Sequence, residues 1–193
     1  MTVYIEEIGP NRLSEYTQIG IAYEVDSILQ VELLEDGLRG MTLKETPVET
    51  YVKDYDACED AGPMTWPQKF DVTHWGFFLA TFEYEPIGAA AVTFNTNGVN
   101  LLEGRGDLSI LWDIRVIPEE RGQGVGTALF RHAAAWSYRH GCKLMKAETQ
   151  NINTKACRFY ARVGCVLGDI CRYAYTDQSH VAHEIQLNWY LEL

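Results

Sequence analysis

Gly122, Gly124 and Gly126 alternate with Gln123 and Val125 at a point where a strand-like run gives way to a helix-like one. Glycine lets the backbone turn tightly and lets a ligand approach the main chain. The amides of the first turn of a helix have no intrahelical acceptor, and the helix dipole is positive at that end. Together they form a site for a phosphate or pyrophosphate. Taken alone, the glycines are accounted for equally well by a tight turn with no ligand. Two common nucleotide patterns are not met. The spacing is Gly-x-Gly-x-Gly rather than Gly-x-Gly-x-x-Gly, and no Lys-Ser/Thr pair closes a P-loop.

The elements that would hold this loop can be read on both sides of it. Leu108 to Ile117 reads as a central strand, rich in β-branched and bulky apolar residues from Ile110 on. Pro118 has no N–H for a ladder and ends it. The charged turn Glu119-Glu120-Arg121 follows, then the glycines, then a helix from about Gly122 to His140. Val125, Leu129, His132 or Ala133, and Trp136 recur on it at helical spacing, and Gly141 suits its C-terminal stop. Lys143 to Thr149 is the next strand. Asn153 or Thr154 caps a second helix, on which Ala156, Phe159, Tyr160 and Val163 share a face and after which Gly164 stops the chain. Cys165–Tyr175 and Val181–Leu191 are closing strands around a loop at 176–180.

Upstream, Trp75–Tyr84 and Ile87–Phe94 form a hairpin around Glu85-Pro86. Val3–Ile8 is a short strand, and Asn11 or Ser14 caps a short helix through Gln18. Tyr23–Leu34 alternates as a strand would, but a helical reading stays open; Glu35-Asp36-Gly37 is a turn. Leu38–Thr50 is irregular or extended. Tyr51–Pro67 reads as a long surface loop rich in acidic and aromatic residues: Tyr51, Asp54, Tyr55, Asp56, Glu59, Asp60 and Trp66. Such a loop suits a cationic substrate through ion pairing and cation–π contact, or its aromatics lid the core. The order β-β-β-α-β-α-β-β is a mixed arrangement of strands and helices and places the chain in the α/β class.

Arg121-x-x-Gly124-x-Gly126, after a strand ending in Val116-x-Pro118, resembles the acetyl-CoA-binding motif of the GNAT superfamily of N-acetyltransferases. Glu148-Thr-Gln-Asn-Ile-Asn-Thr-Lys-Ala-Cys-Arg-Phe-Tyr-Ala-Arg-Val-Gly164 resembles that family's next strand and helix. Within it, Glu-Thr-Gln-x-x-Asn followed by Ala-Cys-x-Phe-Tyr is similar to streptothricin acetyltransferases. The resemblance runs from roughly Trp75 to Leu193. It implies a single domain over 1–193 with a central, partly splayed sheet. Residues 75–193 would be its acetyl-CoA core and 1–70 a variable, acceptor-side part.

The resemblance also implies an activity and a set of site residues. The activity is transfer of acetyl from acetyl-CoA to a primary amine, direct and without metal, since a positioned neutral amine attacks a thioester readily. The amides of Arg121, Gly122, Gln123, Gly124, Val125, Gly126 and Thr127 would cradle the pyrophosphate. Ile114, Arg115 and Val116 would line the acetyl-pantetheine arm, with the Val116 amide donating to the acetyl oxygen. Asn153 would touch the arm. Tyr160 would hand its proton to the leaving thiolate, its phenol being protonated at neutral pH with an ordinary pKa of about 10. For the base, Glu148 is placed ahead of Asp113; either could act through water, or be a structural carboxylate paired with Arg115 or Lys146. The rival readings are a protein or peptide N-acetyltransferase and a non-catalytic CoA-binding sensor.

Composition narrows the partners. At 193 residues, 47% of them hydrophobic, the chain can bury a core of its own. The net charge of −11 and the lack of a basic cluster argue against nucleic acid. An acidic surface attracts cations, which favours a small cationic amine or basic antibiotic. No run reaches the length of a membrane helix and no signal-peptide pattern opens the chain, so the expectation is a cytoplasmic protein; a homodimer is one assembly it allows. The five cysteines form no Cys-x-x-Cys pair, which argues against zinc. They read as reduced, mostly buried thiols. A nucleophilic Cys157 would need a nearby base, where the sequence has Lys155 and Arg158.

Overall fold

The computed structural model describes residues 2–57 and 62–193. They form two compact units interleaved along the chain: residues 2–22, 54–57, 62–147 and 190–193 in one, and 23–53 and 148–189 in the other.

The first unit is built on β1 (Tyr4–Ile8), β4 (Trp75–Phe82), β5 (Glu85–Phe94), β6 (Leu108–Val116) and the start of β7 (Leu144–Gln150), side by side in that order. The first three neighbouring pairs are antiparallel; β6 and β7 are parallel, so the sheet is mixed. The parallel pair needs a crossover, and α3 (Val125–Arg139) supplies it. This helix presents Val125, Leu129, Phe130, Ala133 and Trp136 to one face of the sheet. Of the two residues left open by the periodicity, Ala133 is buried and His132 sits half-buried, edge-on to Phe78 at 4.8 Å.

The helix comes close because β5 has no side chain beneath its first turn. A Cβ on Gly88 would stand 2.9 Å from Val125 Cγ1, 3.0 Å from Leu129 Cδ1 and 3.2 Å from the Arg115 carbonyl. Gly88→Ala is therefore expected to cost about 1–3 kcal/mol, as overpacking does, read as a lower midpoint in urea with an unchanged slope. A midpoint equal to that of the parent would show that α3 can lift without loss.

The other face of the sheet is covered by aromatic residues and by α1 (Leu13–Tyr16) and α2 (Trp66–Lys69). Trp66, Phe70, Trp75, Phe77 and Trp112 pack ring on ring, with neighbouring centroids 5.2–6.1 Å apart. Trp66 is thus core and not a loop aromatic. α1 is shorter than expected, and neither Asn11 nor Ser14 caps it: Arg12 stands at its N-cap, and its side chain makes no capping bond.

In the second unit β2 (Tyr23–Leu33) and β3 (Met41–Lys53) form an antiparallel hairpin, which decides the open reading of Tyr23–Leu34 for strand and extends Leu38–Thr50 into one. The hairpin turns through Glu35 and Asp36 at positive φ. α4 (Thr154–Arg162) packs on β2 and on β8 (Val166–Cys171), which neighbours β9 (Gln186–Glu192). Both closing strands are shorter than expected, because residues 172–185 form a run of turns instead. On α4 the buried stripe is Thr154, Cys157 and Tyr160, while Ala156, Phe159 and Val163 are half-buried. Cys58, Glu59 and Asp60 of the expected acidic loop lie outside the described residues.

Candidate active site

β6 carries a bulge where the parallel pairing ends. On its β5 side Ala91 pairs with Asp113 and Val92 with Leu111, so Trp112 is an extra residue. On its β7 side the pairs run from Leu108–Leu144 to Leu111–Ala147. Among the described pairs, Trp112–Val116 has no strand partner along that edge. Alternate main-chain groups of these five residues face away from β5, and those not already taken, as the Val116 carbonyl is by Arg121, can bond an extended ligand.

Past Val116 the chain turns through Pro118–Glu120, and α3 starts at Val125 rather than at the expected Gly122. Gly122 and Gly124 are at φ +82° and +92°, a region that L side chains rarely adopt. Gly124 is the N-cap and supplies no capping side chain; the first turn holds no acidic residue. The first intrahelical bond is Ala128 N–H to the Gly124 carbonyl, 3.0 Å. The amides of Val125, Gly126 and Thr127 precede it and have no intrahelical acceptor. The Arg121 guanidinium braces the turn: Nε donates to the Val116 carbonyl and an Nη to the Ala22 carbonyl, both at 2.9 Å.

Asp113 and Arg115, two apart on β6, share a buried cluster. Arg115 donates to Asp113 at 2.9 and 2.7 Å, to Asp56 at 2.7 and 3.3 Å, and to the Ile19 carbonyl at 3.0 Å. Tyr16 Oη donates to Asp113 at 2.6 Å. The Arg115 side chain is 2% exposed and that of Asp113 7%. Burial alone would push the guanidinium down. Its hydrogen bonds to Asp113 and the charge there more than reverse this, so its pKa is raised. Burial, then the Asp113 charge, pushes the Tyr16 phenol well up. Arg115 thus has only its main chain left to line an arm.

In the second unit Glu148 accepts from Tyr175 Oη at 2.5 Å and from Gln150 Nε2 at 3.4 Å. Of the cations weighed for it, Arg115 is committed as above, and Lys146 bonds Glu103 at 2.8 Å over the Tyr190 ring. Asn153 caps α4, its Oδ1 accepting from the Ala156 amide at 3.0 Å. Two residues earlier, Asn151 ties three segments together. Its Nδ2 donates to the Leu29 carbonyl at 3.1 Å, its Oδ1 accepts from the Ile185 amide at 2.8 Å, and its carbonyl accepts from the Leu29 amide at 2.8 Å. Tyr160 is buried on α4, edge-on to Phe159 at 5.4 Å. Burial pushes the Cys157 thiol up to about 12, so it stays protonated and is a poor nucleophile at neutral pH.

Residues 42–165 match the model of the acetyltransferase (GNAT) family. The chain belongs to that family. Several curated members resemble it at the sequence level. A streptothricin acetyltransferase of Streptomyces lavendulae is 40% identical over 74% of this chain and 70% of its own length. Streptothricin acetyltransferase A of Bacillus subtilis strain 168 is 38% identical over 58% of this chain, which spans only 60% of that relative. An Escherichia coli streptothricin acetyltransferase is 26% identical over 94% of this chain and 91% of its own. Two solved structures share the fold across the whole chain at 23% identity. One, assigned as a streptothricin acetyltransferase from Bacillus anthracis str. Ames and solved with acetyl coenzyme A, gives a TM-score of 0.77 over 98% of its length; a nourseothricin acetyltransferase gives 0.76 over 99%.

Within this GNAT chain the expected site residues fall into two groups. Asp113, Ile114, Arg115, Val116 and Arg121–Thr127 belong to the first unit; Glu148, Asn153 and Tyr160 belong to the second. Three partners of these residues have roles that the sequence does not mark, Asp56 being legible there only as part of the acidic loop. Tyr16 and Asp56, which hold Asp113 and Arg115, carry no local signal, being far from them along the chain. Tyr175 was legible only as the end of a strand. Among the described residues no group of three His, Cys, Asp or Glu side chains is placed to hold a metal ion, and no helix is long and apolar enough to cross a membrane.

Proposed function

We propose that this GNAT chain transfers acetyl from acetyl-CoA directly to a primary amine of a small cationic, streptothricin-like antibiotic. The observation that carries the donor half is the first turn of α3: a left-handed glycine N-cap, no capping or acidic side chain, and amides without an intrahelical acceptor. A pyrophosphate completes those bonds and meets the positive end of the helix dipole. The strand edge from Trp112 to Val116 suits the amide-bearing pantetheine arm. The acceptor half rests on the three relatives, each a streptothricin acetyltransferase.

In this reading the Val116 amide polarises the acetyl carbonyl. The neutral acceptor nitrogen attacks the carbonyl carbon and gives up a proton to Glu148 as the bond forms. The C–N bond forms and the C–S bond breaks. Tyr160 gives its proton to the thiolate and regains one from solvent as Glu148 releases the proton it took, so the products are an amide and CoA thiol. Glu148 is preferred to Asp113 as base, because Asp113 is occupied by Arg115 and Tyr16.

An amine panel with acetyl-CoA, read by free thiol, tests the reading. Release is expected with streptothricin-like amines. Release only with peptides would move the assignment to a peptide acetyltransferase, and none with any amine would leave a CoA-binding sensor. Tyr160→Phe is expected to lower kcat by about tenfold or more at unchanged acetyl-CoA affinity. Unchanged kcat would return Tyr160 to a packing role.

A further inference from the structure

Glu148 is not oriented by its own strand alone. The turn run 172–185 brings Tyr175 onto it, with Oη donating to Glu148 Oε1 at 2.5 Å. Gln150, two residues along β7 and so on the same face, donates from Nε2 to Tyr175 Oη at 3.0 Å. The direction of this chain of bonds is fixed by proton count. The Gln150 amide nitrogen can only donate, and the phenol has one proton to pass on. Burial, then the Glu148 charge, pushes the Tyr175 phenol well above its ordinary value, so it stays a donor throughout the working range.

The segment carrying Tyr175 is itself anchored. Glu184, buried, accepts from Lys53 Nζ at 2.5 Å, and the Ile185 amide bonds Asn151. Turn bonds link Tyr175 to Gln178, Gln178 to Val181, and Val181 to Glu184, at 2.9, 2.9 and 2.8 Å. A phenol held in this way fixes the rotation of the carboxylate it touches.

We propose that Tyr175 is the positioning residue for Glu148. It occupies Oε1 and leaves Oε2, which has no partner among the described residues, as the oxygen that takes the acceptor's proton. The inference rests on the reading of Glu148 as base. A carboxylate held by one short bond in a defined rotamer is ready for proton transfer without reorganisation.

The test is a double-mutant cycle of Tyr175→Phe and Glu148→Gln, followed by thiol release with a streptothricin-like amine and by thermal melting. Y175F is expected to lower kcat roughly tenfold or more, the loss of one charge-assisted hydrogen bond, with KM for acetyl-CoA and the melting temperature unchanged. In the E148Q background the same change is expected to cost less than about twofold, because the group it positions is gone. Independent, multiplicative losses, or an unchanged kcat in Y175F, overturn the proposal. If E148Q alone keeps the parent kcat, Glu148 is not the base and the proposal fails with it, while thiol release by the parent still upholds acetyl transfer. Should Y175F melt early, Gln150→Met removes the donor behind the phenol and leaves the ring. A smaller fall in kcat, again absent in E148Q, is then expected, and no fall refutes the idea.

Discussion

Gly124→Glu is expected to weaken acetyl-CoA binding by at least about a thousandfold, read by calorimetry on the purified protein. Space is not the reason, since a Cβ at Gly124 would meet nothing within 4 Å. Backbone shape and charge act together instead. The backbone sits at φ +92°, so any L side chain there costs about 1–2 kcal/mol. Charge costs more: a carboxylate at the N-cap takes up the amides of the first turn and meets the pyrophosphate as a like charge at close range. The site loses its donors and gains a repulsion. Gly124→Asn separates shape from charge. Asparagine tolerates the left-handed region and carries no charge, so its loss should stay within about tenfold. Equal losses in the two variants would mean that backbone shape governs the site. Undiminished affinity in G124E would mean that the phosphates bind elsewhere.

The distinction matters because the loop was the most legible part of the sequence. Its signal is local: three glycines, a strand ahead and a periodic helix behind all lie within a short window, where spacing alone fixes geometry. The same holds for the Asn153 cap. Trp66 and Asp56 show the opposite case. Both sit in a stretch whose composition reads as solvent-facing loop, yet Trp66 is core and Asp56 meets Arg115. Their partners are remote in sequence, and periodicity carries no information about such pairs. The run 172–185 failed for a related reason. Apolar residues around Tyr173 and Val181 imitate strands, but bonds from Glu184 to Lys53 and from Ile185 to Asn151 hold the backbone in turns. Tyr175 therefore reached Glu148 through tertiary contacts that no local pattern announces. Asn151 was hidden differently, since the family motif drew the eye to Asn153 beside it.

Arg115→Met is expected to destabilise the protein by about 3–5 kcal/mol, the cost of stranding a buried charge. In the parent, two carboxylates and a main-chain carbonyl surround the guanidinium, and it is the only cation in hydrogen-bond contact with Asp113 among the described residues. Methionine fills much of the volume but supplies no donor. Asp113 then keeps one bond, from Tyr16, and no counter-charge. Asp56 is more exposed and can turn to water, so most of the cost falls on Asp113. For a chain of this size the melting temperature should fall by roughly 10 °C or more. Adding Asp113→Asn should recover part of that loss, because the amide can still accept from Tyr16 and leaves no charge uncompensated. Chemical denaturation of the parent, the single and the double variant checks both statements. A single variant within about 1 kcal/mol of the parent would show that water reaches Asp113 once the guanidinium is gone. A double variant no better than the single would place the cost in packing rather than charge. Partial recovery would make the pair a structural clamp on the strand that precedes the glycine loop, and would leave the proton transfer to Glu148.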